Sequence, residues 1–124
     1  PMYTITTYDS PPLITAELVG RISSDELQHL SRDLDRRLLV ADQPIPALLL
    51  DVRRYEAAGE HLVELLDLFI ARSLDAGIRV GRVVENQLIA RQLDRVAEEA
   101  DLQDHIRHYH ELEPALAWLR EPQP

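Results

Sequence analysis

The sequence predicts an α/β domain in the order β-β-α-β-α-β-α-β-α: a mostly parallel five-stranded sheet with an antiparallel edge strand, and four helices. Three observations carry this. Residues 2–8 and 13–20 are rich in β-branched and aromatic side chains, and only a short turn, DSPP, separates them; a link that short joins antiparallel strands. ALLLDV, residues 47–52, is apolar without alternation, the pattern of a parallel strand covered on both faces. The rest of the chain alternates short strands with stretches of helical periodicity. That alternation implies parallel pairing through right-handed crossovers. Strands two to five are therefore expected to run parallel, with strand one antiparallel at an edge.

Each element has its own local signal. In DSPP, Pro fixes φ and Asp favours the preceding corner. Ser23 and Glu26 have capping-box spacing, with Ser24 as a rival cap. Leu27, Leu30, Leu34 and Leu38 then recur at helical spacing, so the first helix spans 24–40. ADQPIP ends it, because each Pro disfavours helix in the residue before it. A second helix is expected over about 59–75, with Leu62, Leu65, Leu66 and Phe69 on one side and Val63, Ile70 and Leu74 widening it. Leu68 lies on its polar side, and this broad apolar surface is a candidate dimer or partner contact. IRVGRVVE, 78–85, is the fourth strand. Ile89, Leu93, Val96, Ala97 and Ala100 define the inner face of the third helix, and Arg91, Asp94, Arg95, Glu98 and Glu99 its outer face. IRHYH, 106–110, is a short fifth strand. Pro114 suits the first turn of a last helix, with Leu112, Leu116 and Leu119 facing inward beside Trp118. Residues 1–120 form a single domain, and 121–124 are a disordered tail.

The composition narrows function. At 124 residues the chain is one domain large enough to bury a core. It has no Cys, hence no thiol nucleophile and no thiolate ligand. All 13 basic residues are Arg, so Schiff-base chemistry and a P-loop lysine are absent. A net charge of −9 repels phosphate backbones, and six aromatic residues are too few for a base-stacking platform; nucleic acid is not an expected partner. No apolar run reaches the roughly 18 residues of a membrane span, and no signal peptide is evident. The expectation is a cytoplasmic protein without cofactors.

The candidate site lies at the joint ALLLDVRRYEAAGEHLVELL. Asp51 is expected to end the central strand at the carboxyl edge of the sheet, where ligands collect in open parallel sheets. Arg53, Arg54, Tyr55, Glu56, Gly59 and His61 surround it. They offer a docking patch for a protein partner, or a grip for a small anionic ligand by Arg53, Arg54 and helix amides. The plainer alternative is that Asp51 caps backbone amides while the charges of the loop are solvated. No nucleophilic Ser, Thr or Cys is nearby. Two other clusters have ordinary explanations. His105, His108, His110 and Glu111 are too loosely spaced for a metal centre and are expected as an exposed edge-strand pair, His108 and His110 pointing to one side. His61 and Glu64, three residues apart, fit a solvated helix face.

GRISSDELQHL at the second strand–helix joint, PALLLDV as the central strand, IRVGRVVE as the fourth strand and the closing HELEPALAWL together resemble the SpoIIAA-like group of the STAS superfamily, which shares features with Sec14-type lipid-binding domains. The resemblance covers nearly the whole chain. It implies a regulatory or protein-interaction domain, non-catalytic, acting by docking or self-association as a homodimer. In regulatory members a Ser opens the helix after the central strand, typically within Asp-Ser-Ser-Gly, and its phosphorylation alters docking. The matching residues here are Glu56, Ala57, Ala58 and Gly59, and residues 47–72 contain no Ser or Thr. The phosphorylation switch is therefore expected to be missing. The Sec14 likeness offers a small-ligand or lipid-binding module as an alternative. A second alternative rests on Pro1: PMYTITTY resembles the start of tautomerases that use an N-terminal proline as base.

Overall fold

The hairpin expected at the start pairs β1 (Tyr3–Asp9) with β2 (Pro12–Arg21), Tyr3 standing opposite Leu18 and Asp9 opposite Pro12. The structure is a computed structural model and describes residues 3–40, 45–56, 74 and 77–122. After β2 come α1 (Ser24–Val40), β3 (Ala47–Glu56), β4 (Arg79–Val83), α2 (Gln87–Glu99), β5 (Ile106–Tyr109) and α3 (Leu112–Arg120). The expected second helix, 59–75, lies outside the described residues except for Leu74, which is helical and packs on the core.

The sheet order is β1-β2-β3-β4-β5, with β1 antiparallel to β2 and the other neighbours parallel, as the alternation of elements predicts. Right-handed crossovers along an order that never reverses place the connecting helices on one face of the sheet. The packing agrees. Leu27, Leu30 and Leu34 of α1 and Ala97 of α2 share one core with Ile14, Ala16 and Leu18 of β2 and Leu48 and Leu50 of β3. The opposite face is covered by α3, whose Ala115, Trp118 and Leu119 pack on Leu13, Ala47, Leu49 and Val83. β3 is thus buried on both sides, which is why ALLL does not alternate. Each fully buried Leu of this kind contributes roughly 1.5–3 kcal/mol.

Local chemistry sets the element ends. The Ser23 hydroxyl accepts from the Glu26 N–H at 3.2 Å, and the Glu26 carboxylate accepts from the Ser23 N–H at 3.3 Å. This reciprocal box makes Ser23, not Ser24, the N-cap of α1. At its other end α1 is tied to β1: the Tyr3 hydroxyl donates to Asp33 at 2.7 Å and Arg37 donates to Thr7 at 3.0 Å. Asn86 caps α2 by accepting from the Ile89 N–H at 2.8 Å.

The rotation of α2 differs from expectation. Ala90 and Ala97 are its buried residues, Ile89 and Leu93 are half-buried, and Val96 is 62 % exposed. Asp94, expected outside, falls between Ala90 and Ala97 at helical spacing and turns toward β5, where it hydrogen-bonds His108. Small alanines let the helix approach β5 closely, and the apolar Val96 is left outside. Among the described residues no helix is long and apolar enough to cross a membrane.

Gly81 is a point of close approach between β4 and α3. A Cβ there would stand 3.1 Å from Leu119 Cδ1. Leu119 is itself buried with Ala115 and Trp118, so it has little room to yield. Gly81→Ala is expected to lower stability in urea denaturation by about 1–3 kcal/mol. Adding Leu119→Val, which removes the obstructing methyl, should cost less than the sum of the two single changes; strict additivity would contradict this contact.

Candidate functional site

The carboxyl end of β3 is shaped by one extra residue. Glu17 of β2 faces Asp51, but Val19 faces Arg54, so β3 advances three residues while β2 advances two. Such a bulge is uncommon in a parallel pair and re-aims the side chains beyond it. Before the bulge, Leu48 and Leu50 face α1; after it, Tyr55 turns to that same face and packs on the core. Arg54 emerges on the opposite face, beside Glu17. Gly20, opposite Tyr55, has φ +74, a conformation that suits a residue without Cβ.

Asp51 does not end the strand as expected. It is the last residue of β3 paired on both sides, to Glu17 and to Val83. Residues 53–56 continue as strand against β2 alone, because β2 extends to Arg21 and offers partners up to Glu56. Arg53, Arg54, Tyr55 and Glu56 therefore project from a strand and not from a loop.

Their charges are mutually engaged. Asp51, buried, accepts from the Arg53 guanidinium through both oxygens, at 3.0 Å from Nε and 2.7 Å from Nη2, and also from the Arg53 backbone N–H at 3.2 Å. That fork raises the Arg53 pKa further, its hydrogen bond to Asp51 outweighing the opposing effect of burial. Arg54 pairs with Glu17 at 3.6 Å and Arg21 with Glu56 at 3.8 Å. Three acids and three arginines thus pair off along the ends of β2 and β3 with no net charge among them. The Tyr55 hydroxyl is buried with no hydrogen-bond partner among the described residues, and burial raises its pKa. Gly59 and His61 lie outside the described residues, as do Ala57, Ala58, Glu64 and Pro1. Because the strand order never reverses, β3 has no topological switch point, and the crevice that collects ligands in doubly wound sheets does not arise there.

A second polar cluster was hidden from sequence reasoning. His108 is buried under α2 and is not part of an exposed pair; His110 lies beyond the end of β5, exposed, 3.7 Å from Glu111. Asp94 Oδ1 accepts from the His108 backbone N–H at 2.7 Å and stands 3.1 Å from Nδ1. Burial, and then nearby Arg82, lower the His108 pKa below its ordinary 6.5; the hydrogen bond to Asp94 opposes them. Helical spacing could have found this cluster, since Asp94 is four residues from Ala90 and three from Ala97, but it needed the partner strand to give it meaning. His105 precedes β5 in a turn, and no three potential metal ligands converge among the described residues.

On the other face, the guanidinium carbons of Arg79 and Arg107 lie 4.4 and 4.9 Å from the centroid of the Trp118 ring. Arg79 also donates to the Glu121 carbonyl and Arg107 to that of Gln103. These arginines fasten α3 and the chain around it through cation–π contacts and backbone hydrogen bonds.

No protein-family model and no curated protein matches the chain. Solved structures do. One is an uncharacterized protein of the DUF3478 family with a SpoIIAA-like fold from Shewanella loihica PV-4: TM-score 0.69, 18% identity, covering 94% of this chain and 91% of that one. Another is an anti-sigma factor antagonist from Mycobacterium paratuberculosis: TM-score 0.60, 22% identity, covering 96% and 95%. At these identities the likeness carries the fold. The chain has a SpoIIAA-like fold, as its sequence patterns suggested.

A contrast between two arginines and a pH effect are expected from this geometry. Arg53→Ala leaves the Asp51 carboxylate buried with only a backbone donor among the described residues, and should cost about 2 kcal/mol in chemical denaturation. Arg54→Ala removes a pair whose arginine side chain is 71% exposed and should change stability by less than about 0.5 kcal/mol. The second effect concerns pH. A His whose folded pKa is depressed contributes stability that is complete above its unfolded value of 6.5 and is lost as pH falls through its lower folded value. Melting temperature should therefore drop on acidification below that point, and His108→Gln should flatten this part of the profile.

Proposed function

We propose that the chain is a non-catalytic regulatory domain of the cytoplasm that acts by docking to a protein, with the carboxyl end of β3 as its contact surface. The observation that carries this reading is the mutual pairing of Asp51 with Arg53, Glu17 with Arg54 and Arg21 with Glu56. A surface whose charges already satisfy one another offers neither an activated nucleophile nor an uncompensated cation for a small anion. It does offer a rim carrying both signs of charge, which favours orientation and partner choice over bond-making. The fold supports the same reading, since a protein described as an anti-sigma factor antagonist shares it.

The docking has no phosphorylation switch at this position. By sequence resemblance, Glu56, Ala57, Ala58 and Gly59 are the nearest match to the run that carries the serine in regulatory STAS domains, and residues 47–72 contain no Ser or Thr. Control would then act through the abundance of the partner or through self-association. No cofactor is required by this function.

The test is affinity capture from the native lysate with three baits: the unaltered chain, Arg54→Glu, and the swap of Glu17→Arg with Arg54→Glu. A protein retained by the unaltered chain, lost with Arg54→Glu and not lost through unfolding supports the reading. Identical capture by all three baits, or turnover of any captured metabolite by the pure protein, overturns it.

A further inference from the structure

β1 and β5 are the two edges of the sheet, and they are built differently. β5 has four residues and carries Arg107, features that discourage pairing with another strand. β1 has seven residues, Tyr-Thr-Ile-Thr-Thr-Tyr-Asp, with no Lys, Arg or Pro and no charge before Asp9. It pairs only with β2 among the described residues. Thr4, Thr6 and Tyr8 are exposed, and α3 packs chiefly on β3, β4 and β5. A long, uncharged edge of this kind is a template for another strand.

The hydrogen bonds between β1 and α1 indicate which strand. Tyr3 binds Asp33, and Thr7 binds Arg37, at 2.7 and 3.0 Å. Asp33, which also lies 3.6 Å from Arg36 of its own helix, therefore sits over residue 3, and Arg37 sits over residue 7. A twofold axis through Ile5 would set Tyr3 of one chain opposite Thr7 of the other. That overlay brings Asp33 of each copy against Arg37 of its mate, twice, with opposite charges facing. The same register opposes Ile5 to Ile5 on the helix-covered face and Thr4 to Thr6 on the open face, combinations that suit antiparallel neighbours. Shifting the axis by one residue loses the charge match, and the period of two in a strand makes register a sharp property.

We propose that β1 is a self-association edge: two copies of the chain pair their β1 strands antiparallel about Ile5, joining two five-stranded sheets into one of ten strands, with Asp33 and Arg37 of the two α1 helices fixing the register. This contact is isologous and closes on itself, as a twofold requires. It lies on a different strand from the docking surface at the end of β3 and does not depend on it. The variants below leave Arg54 and Arg53 untouched, so failure of one reading is separable from failure of the other.

Sedimentation velocity over a concentration series is the first measurement. The mass should rise from 14.2 kDa toward twice that value. Arg37→Asp should weaken association by about tenfold, because two attractive pairs become repulsive. Asp33→Arg combined with Arg37→Asp should restore it. The register is read by cross-linking, since the chain has no native Cys. Ile5→Cys, facing its own copy across the axis, should oxidise to a disulfide-linked dimer. Thr6→Cys, which meets its copy only on a diagonal of about 7–8 Å, should not. A chain that stays monomeric throughout, an association indifferent to Arg37→Asp, a charge swap that does not restore it, or equal cross-linking at both positions would overturn the proposal.

Discussion

The structure depends on β3 being buried from both sides. Ala47, Leu48, Leu49 and Leu50 pack alternately into two separate cores, one beneath α1 and α2 and one beneath α3. Its neighbours β2 and β4 also reach both cores, through Leu13 and Val83 on the α3 side. The strand can occupy that position only if its side chains are apolar throughout, and if both neighbours supply backbone partners. β2 and β4 do so up to Asp51. The order of the sheet, the placement of α1, α2 and α3 on its two faces, and the location of the candidate site all follow from where this double burial stops.

It stops at a carboxylate. Asp51 is too buried to rely on water and is therefore held by a forked arginine from the same strand, two residues on. The extra residue between Asp51 and Arg54 permits this by reversing the facing of the strand. Tyr55 is returned to the core, and Arg54 is delivered to Glu17. The same irregularity that completes the packing thus neutralises the surface. This is the physical basis for reading the end of β3 as a place of contact rather than of chemistry. The buried pair of Asp94 and His108 solves a similar problem at β5: a carboxylate from the inner stripe of α2 satisfies a strand amide and an imidazole where an apolar residue would leave both unmatched.

Much of this was legible in the linear chain. Alternation of strands and helices, the spacing of leucines in α1, the box of Ser23 and Glu26, and the unbroken ALLL run are local signals, and each corresponds to an observed element. They are legible because hydrophobic period and backbone capping act within a few residues. The absence of Cys and Lys and of hydroxyls in residues 47–72 is likewise a property of composition alone.

What the sequence by itself determined, then, is the succession of the described elements, their inward faces in α1 and β3, and the residue types the chain lacks. Tertiary structure decided the rest: that β3 runs past Asp51 because β2 extends alongside it, that Arg53 serves Asp51 while Arg54 serves Glu17, that α2 turns Asp94 inward and leaves Val96 outside, and that His108 is buried. The reason is one of range. Periodicity and capping are set by neighbours along the chain, whereas the register between strands and the partner of a buried charge are set by residues brought close only when the sheet assembles.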